Sequence, residues 1–169
     1  MKNKYSIIAF AAVAFSLVSC DKFLDVMPDN RTELDTQEKI RSLLVSAYPE
    51  TDYLLVSEFS SDNVDDFGPE NPNTDPFIDE VYAWKDVTNT DNEDPEYIWQ
   101  SSYSAIAAAN QAIEAITNMV GPDAEGYEPE MAEALLCRAY SHFVLVNMFS
   151  QAYTETTADQ KLGVTYMSA

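Results

Sequence analysis

The sequence predicts an all-α fold built on one long helical hairpin with long irregular loops, and three patterns predict it. Trp99, Tyr103, Ile106, Asn110 and Ile113 recur at spacings of four and three, which places them on one helix face. A second helical run from about Pro129 to Phe149 is apolar nearly all round, and Gly121, Pro122 and Gly126 separate it from the first. A third, shorter helical pattern begins near Asp35. The chain has 169 residues, 46% of them hydrophobic, enough for a packed core.

The N-terminus is an export signal by its pattern. Lys2 and Lys4 precede an apolar stretch from Ile7 to Val18 that only Ser16 interrupts. About a dozen apolar residues are too few to span a bilayer, which needs around 20. The stretch closes on Leu17-Val18-Ser19-Cys20, the residue types of a bacterial lipobox. Residues 1–19 are therefore expected to be removed as a lipoprotein signal peptide, with Cys20 acylated as the membrane anchor. Loss of Lys2 and Lys4 leaves seven bases against 29 acids, a mature charge of −22. With Cys20 lipidated, Cys137 has no partner for a disulfide, and its apolar helical setting predicts an inert buried thiol.

Residues 21–35 read as an extended leader, with Pro28 and Asn30 favouring turns. Asp35 is the expected N-cap of the next helix, Glu38 completes a capping box, and Ile40, Leu43, Leu44 and Ala47 share a face up to Pro49. A short helix is expected over Tyr53–Val56 with Phe59. From Ser60 to Pro95 the chain carries four prolines and many Asp and Asn residues, which predicts a long acidic loop. Val81-Tyr82-Ala83-Trp84 interrupts it with an apolar patch expected to dock on the body. Asp94 then caps and Pro95 opens the first hairpin helix, to about Met119. After Phe149 the sequence turns polar, and Leu162 to Met167 looks extended.

The hairpin is the unit of tetratricopeptide-type solenoids, which need about three units before the core closes. One such hairpin leaves the second helix with more apolar surface than the chain can bury. The sequence accordingly reads as the N-terminal part of a longer protein.

Composition excludes several chemistries. A net charge of −20 repels phosphate backbones, so nucleic acid is not an expected partner. One histidine and two cysteines leave few ligands for a Cys/His metal site. His142, the only imidazole, lies in the apolar second helix and reads as a packing residue. No Gly-x-Ser-x-Gly elbow or glycine-rich phosphate loop is present, so catalysis is not expected. Calcium is the one metal the acidic loops invite, through Asp62, Asn63, Asp65 and Asp66 or through Asp91, Asn92, Glu93 and Asp94, although neither cluster has the spacing of an EF-hand. Asn110 and Arg138 interrupt apolar helix faces. Arg138 is expected to bond a carbonyl or carboxylate at the hairpin interface and fix its register, or else to snorkel to the surface. Tyr53, Phe59, Tyr82 and Trp84 are aromatic candidates for stacking on a ligand, with core or docking roles as the alternative.

Together these residues resemble the SusD/RagB family, the surface nutrient-binding lipoproteins of Bacteroidetes-type bacteria. The likeness includes Cys20 with Phe23-Leu24-Asp25, Pro28, Ser61-Asp62-Asn63, and the helix of Trp99, Tyr103, Ile106, Asn110 and Ile113. It continues through Glu133-Ala134, Arg138-Ala139-Tyr140, Phe143, Leu145-Val146 and Phe149 to Gly163-Val164 and Tyr166. Ala132, Ser150 and Thr165 depart from it, where Gly, Gly and Pro are common. The resemblance implies that residues 20–169 are the N-terminal part of an all-helical, tetratricopeptide-like SusD-like domain. It implies a surface-exposed outer-membrane lipoprotein that delivers glycans or peptides to a SusC-like TonB-dependent transporter, without catalysis. It also implies ligand contacts at Asp62 and Asn63, with Trp84 as a platform. The competing reading is a helical-repeat envelope scaffold that binds no ligand.

Overall fold

The computed structural model describes residues 33–72, 74–88 and 93–168. The export signal and Cys20 lie outside the described residues. Five α-helices occur among them: α1 Gln37–Leu44, α2 Leu54–Phe59, α3 Pro76–Tyr82, α4 Pro95–Val120 and α5 Glu128–Phe149. No strand is present among the described residues, in agreement with the all-α expectation.

α1 starts one residue later than the capping pattern suggests. Thr36 is the cap: its backbone is extended and its hydroxyl accepts the Lys39 N–H at 3.3 Å. Asp35 instead pairs with the Lys39 ammonium at 2.6 Å, so a nearby cation competes for the carboxylate that would have capped. The helix also ends earlier, tightening into a single 3₁₀ turn over Val45–Ala47. Tyr48 is extended (ψ 131°), as the ring of the following Pro49 demands.

α4 and α5 pack as an antiparallel hairpin, and two cores mark its ends. At one end Ile40, Leu44 and Ala47 from the α1 region meet Ala108, Ala109, Ala112 and Ile116 of α4 and Ala134 and Cys137 of α5. Full burial of Ile40 and Leu44 contributes about 1.5–3 kcal/mol each. At the other end Val56 of α2 and Phe77 and Val81 of α3 meet Ile98 and Val144. The linker turns back at Gly121, whose φ of +88° closes α4 at little steric cost.

The packed face of α4 is not the stripe the aromatic residues mark. Ile98, Ser102, Ala105, Ala109, Ala112 and Ile116 are buried together with Ile106 of the stripe, whereas Trp99 is 39% exposed and Tyr103, Asn110 and Ile113 are half-buried. Small side chains on this face let α1 and α5 approach closely, and the larger residues fall to its edge. There Tyr103 and Asn110 meet the chain's own C-terminal segment, Trp99 packs on Phe149, and Ile113 packs against the first core.

That C-terminal segment, in neither helix nor strand over 162–168, lies against both hairpin helices. Tyr103 donates its hydroxyl to the Thr165 carbonyl at 3.0 Å. Arg138 donates to Asn110 Oδ1 at 3.0 Å, and Asn110 Nδ2 donates to the Met167 carbonyl at 3.3 Å. The Met167 N–H donates to His142 Nε2 at 3.0 Å, and His142 Nδ1 lies 2.9 Å from the Arg138 carbonyl. A carbonyl only accepts and a backbone N–H only donates, so in this arrangement Nδ1 is the donor and Nε2 the acceptor. The four bonds close a ring through α4, α5 and the strap. Arg138 thus bonds a carbonyl oxygen at the hairpin interface, as its position suggested, and His142 is a buried packing residue.

The first core carries one ion pair. Arg41 Nε donates to Glu130 Oε1 at 2.6 Å, with Glu130 only 2% exposed. Burial pushes this carboxyl up, but its own backbone N–H and the Arg41 guanidinium hold it below its ordinary value. Tyr48 donates to Glu133 Oε1 at 2.8 Å, and that bond, with some burial, pushes the phenol up to about 12.

α5 keeps an open apolar side, as its all-round hydrophobicity implied. Leu136, Phe143 and Tyr140 are 71%, 61% and 48% exposed. No described helix is long and apolar enough to cross a membrane.

Candidate functional site

Asp62 and Asn63 stand on the turn that ends α2. Ser61 shapes it: its hydroxyl donates to the Glu58 carbonyl at 2.7 Å and accepts the Asn63 N–H at 3.1 Å. Both side chains are exposed and make no hydrogen bond among the described residues. They are open to solvent.

Trp84 stands on the corresponding turn after α3, a helix that the acidic, proline-rich sequence conceals. Asp75 caps α3 by accepting the Phe77 N–H at 3.0 Å, and Pro76 takes the first helical position. The Val81-Tyr82-Ala83-Trp84 patch then splits. Val81 docks in the second core, as expected of the patch, while Trp84 points outward at 79% exposure. Its backbone sits at φ +51°, a left-handed conformation that costs a bulky residue about 1–2 kcal/mol. Such strain persists only where surrounding bonds impose it, and it clusters at functional sites.

Those bonds are visible. The Trp84 N–H reaches the Val81 carbonyl at 3.1 Å, and the Lys85 N–H reaches the Glu80 carbonyl at 2.9 Å. The Glu80 carboxylate then takes both the N–H and the hydroxyl of Thr88, at 2.7 and 2.6 Å. The indole is consequently displayed on a fixed turn. Of the four aromatic candidates, Trp84 alone is exposed, while Tyr53, Phe59 and Tyr82 are half-buried.

α2 and α3 share the second core, so one pair of short helices carries both turns. No hydrogen bond joins Trp84 to Asp62 or Asn63. The acidic residues beside Asp62 serve local turns: Asp65 accepts the Asp66 N–H at 2.9 Å, and Asp66 accepts the Gly68 N–H at 2.8 Å. Among the described residues no group of three or more His, Cys, Asp or Glu is placed to hold a metal ion. Asp91 and Asn92 of the other acidic cluster lie outside the described residues, and Asp94 caps α4 by accepting the Tyr97 N–H at 2.6 Å.

The arrangement offers an exposed aromatic plane, an exposed carboxylate and an exposed carboxamide. Chemically, the ring can take a flat apolar surface, and the carboxylate and carboxamide can bond hydroxyls.

A family model, SusD-like, described as starch-binding and associating with the outer membrane, matches residues 22–168. No curated protein and no solved structure matches the chain.

Proposed function

Because the chain belongs to the SusD-like family of starch-binding, outer-membrane-associated proteins, we propose that it is a cell-surface glycan-binding lipoprotein that hands saccharide to a SusC-like TonB-dependent transporter. Residues 1–19 are its export signal, Cys20 its lipid anchor, and residues 20–169 belong to its SusD-like domain. Trp84 is the stacking platform, with Asp62 and Asn63 bonding sugar hydroxyls. Its role is capture without bond cleavage, and no cofactor enters it.

The observation that carries the reading is the Trp84 turn. A large indole held in a left-handed backbone conformation and left 79% exposed adds little to either core, and its display to solvent supports a ligand-contact role. Aromatic rings supply affinity at low rotamer cost, because only two torsions are frozen. A lipid anchor concentrates such sites at the surface, so modest affinity at one site suffices.

Affinity electrophoresis through gels containing soluble starch or other polysaccharides tests the proposal. Retarded migration that Trp84→Ala diminishes supports glycan capture. Unretarded migration in every gel favours the envelope-scaffold reading.

A further inference from the structure

We infer that the loop after α5 forms a second saccharide site, separate from the Trp84 turn; this rests on the glycan-binding reading above. A groove of about 460 Å³ opens between the last turn of α5 and the loop that follows it. Val146 and Asn147 line it from α5, and Gln151, Tyr153, Lys161 and Leu162 from the loop and the start of the strap. Clefts of a few hundred Å³ are the size that small ligands occupy.

The walls define the ligand class. No carboxylate lines the groove. Its one cation, Lys161, commits two of its three donors to the loop itself, to the Ala152 carbonyl at 2.9 Å and Thr154 Oγ1 at 3.1 Å. With a chain charge of −20 around it, the groove does not favour an anion. What remains is neutral. The Gln151 carboxamide has no hydrogen-bond partner among the described residues. Asn147 uses its amide N–H on the Phe143 carbonyl at 2.7 Å and keeps its Oδ1 as an acceptor. The Tyr153 side chain is 80% exposed, and its hydroxyl is unpartnered among the described residues.

An uncharged ligand with an apolar face and a rim of hydroxyls fits these groups, and a pyranose is such a ligand. Its C–H face stacks on Tyr153 while its hydroxyls bond Gln151 and Asn147. The groove is also held ready before binding. Lys161 stitches the loop, and the strap that leaves Leu162 and Gly163 is pinned at Met167 by Asn110 and His142. Walls fixed in the free protein lower the ordering cost of association.

Calorimetric titration of the full chain with maltoheptaose, xylohexaose and mannohexaose tests the site, comparing wild type with Tyr153→Ala, Tyr153→Phe, Gln151→Ala and Trp84→Ala. The expected result is a binding component, distinct from the Trp84-dependent one, that Tyr153→Ala weakens roughly tenfold and Tyr153→Phe, which keeps the ring, holds within about twofold. Gln151→Ala, an exposed substitution, should weaken binding in the same direction, and it decides the matter if Tyr153→Ala lowers the melting temperature. Binding unchanged by Tyr153→Ala and Gln151→Ala but abolished by Trp84→Ala overturns the second site and leaves the glycan reading standing. Binding lost with Tyr153→Ala but untouched by Trp84→Ala supports the second site and removes Trp84 from the first. Wild-type silence towards all three saccharides overturns both.

Discussion

His142 accepts the backbone N–H of Met167 at 3.0 Å across 25 residues of chain, and its other ring nitrogen is anchored on its own helix at the Arg138 carbonyl. One imidazole therefore fixes the strap to α5 while its tautomer is set by its two partners. His142→Phe keeps an aromatic ring near Tyr166, whose ring centroid lies 4.5 Å from that of His142, but removes the acceptor. The Met167 N–H then loses its partner, and the expected loss is about 1–3 kcal/mol in chemical denaturation. A loss below about 0.5 kcal/mol, the range of ordinary surface changes, would show that the strap does not support the hairpin.

Asn110 and Arg138 form the opposite side of the same ring. Arg138→Leu leaves Asn110 Oδ1 without its donor, and Asn110→Leu strips both the Met167 carbonyl and the guanidinium of a partner. A double-mutant cycle should return a coupling energy of about 0.5–3 kcal/mol. Additive losses would mean that Arg138 is held by something other than this amide.

The Arg41–Glu130 pair predicts the acid limb of stability. The folded-state value of Glu130 lies below its ordinary 4.5, so its contribution is fully present above that pH. It fades as pH falls through the lower folded-state value. Glu130→Gln should therefore lose most relative to wild type near neutrality, by about 1.5–3 kcal/mol, with the gap narrowing below pH 4.5. Urea melts of both proteins from pH 3 to 7 provide the comparison, and a gap that does not change with pH would contradict the assignment.

Trp84 separates fold from binding. Its side chain is outside both cores, so Trp84→Ala should change stability by less than about 0.5 kcal/mol. Trp84→Gly should be at least as stable as Trp84→Ala, because glycine adopts a φ of +51° without strain. A glycine variant less stable than the alanine variant, in thermal melts, would indicate that the turn is not strained.

Much of the hairpin was readable from residue order, because Asp94-Pro95 and the Gly121–Gly126 linker are local signals with a physical cause. Asp75-Pro76 is the same kind of signal, and it opens α3 in the same way. It was hidden by the surrounding acids and prolines, which together imitate a loop. Hydrophobic size marks Trp99 and Tyr103 on α4, whereas close packing also selects the small Ala105, Ala109 and Ala112, whose burial no hydrophobic bulk announces. Asn110 and Arg138 stood out as polar breaks in apolar faces, and they proved to be partners. Their link to Met167 depends on a contact across 57 residues that no local pattern encodes. The strain at Trp84 is likewise a backbone property without a residue signature, and it adds to the candidate site what the Asp62-Asn63 motif alone did not supply.

The most direct test of glycan capture is calorimetric titration of soluble oligosaccharide into wild type and Trp84→Ala, at matched folding by circular dichroism. The expected result is saturable binding by wild type with a component that the substitution weakens at least roughly tenfold, as loss of a stacking ring implies. Equal affinity and stoichiometry in the two proteins would remove Trp84 from the site, and no saturation by wild type with any neutral oligosaccharide would contradict capture itself.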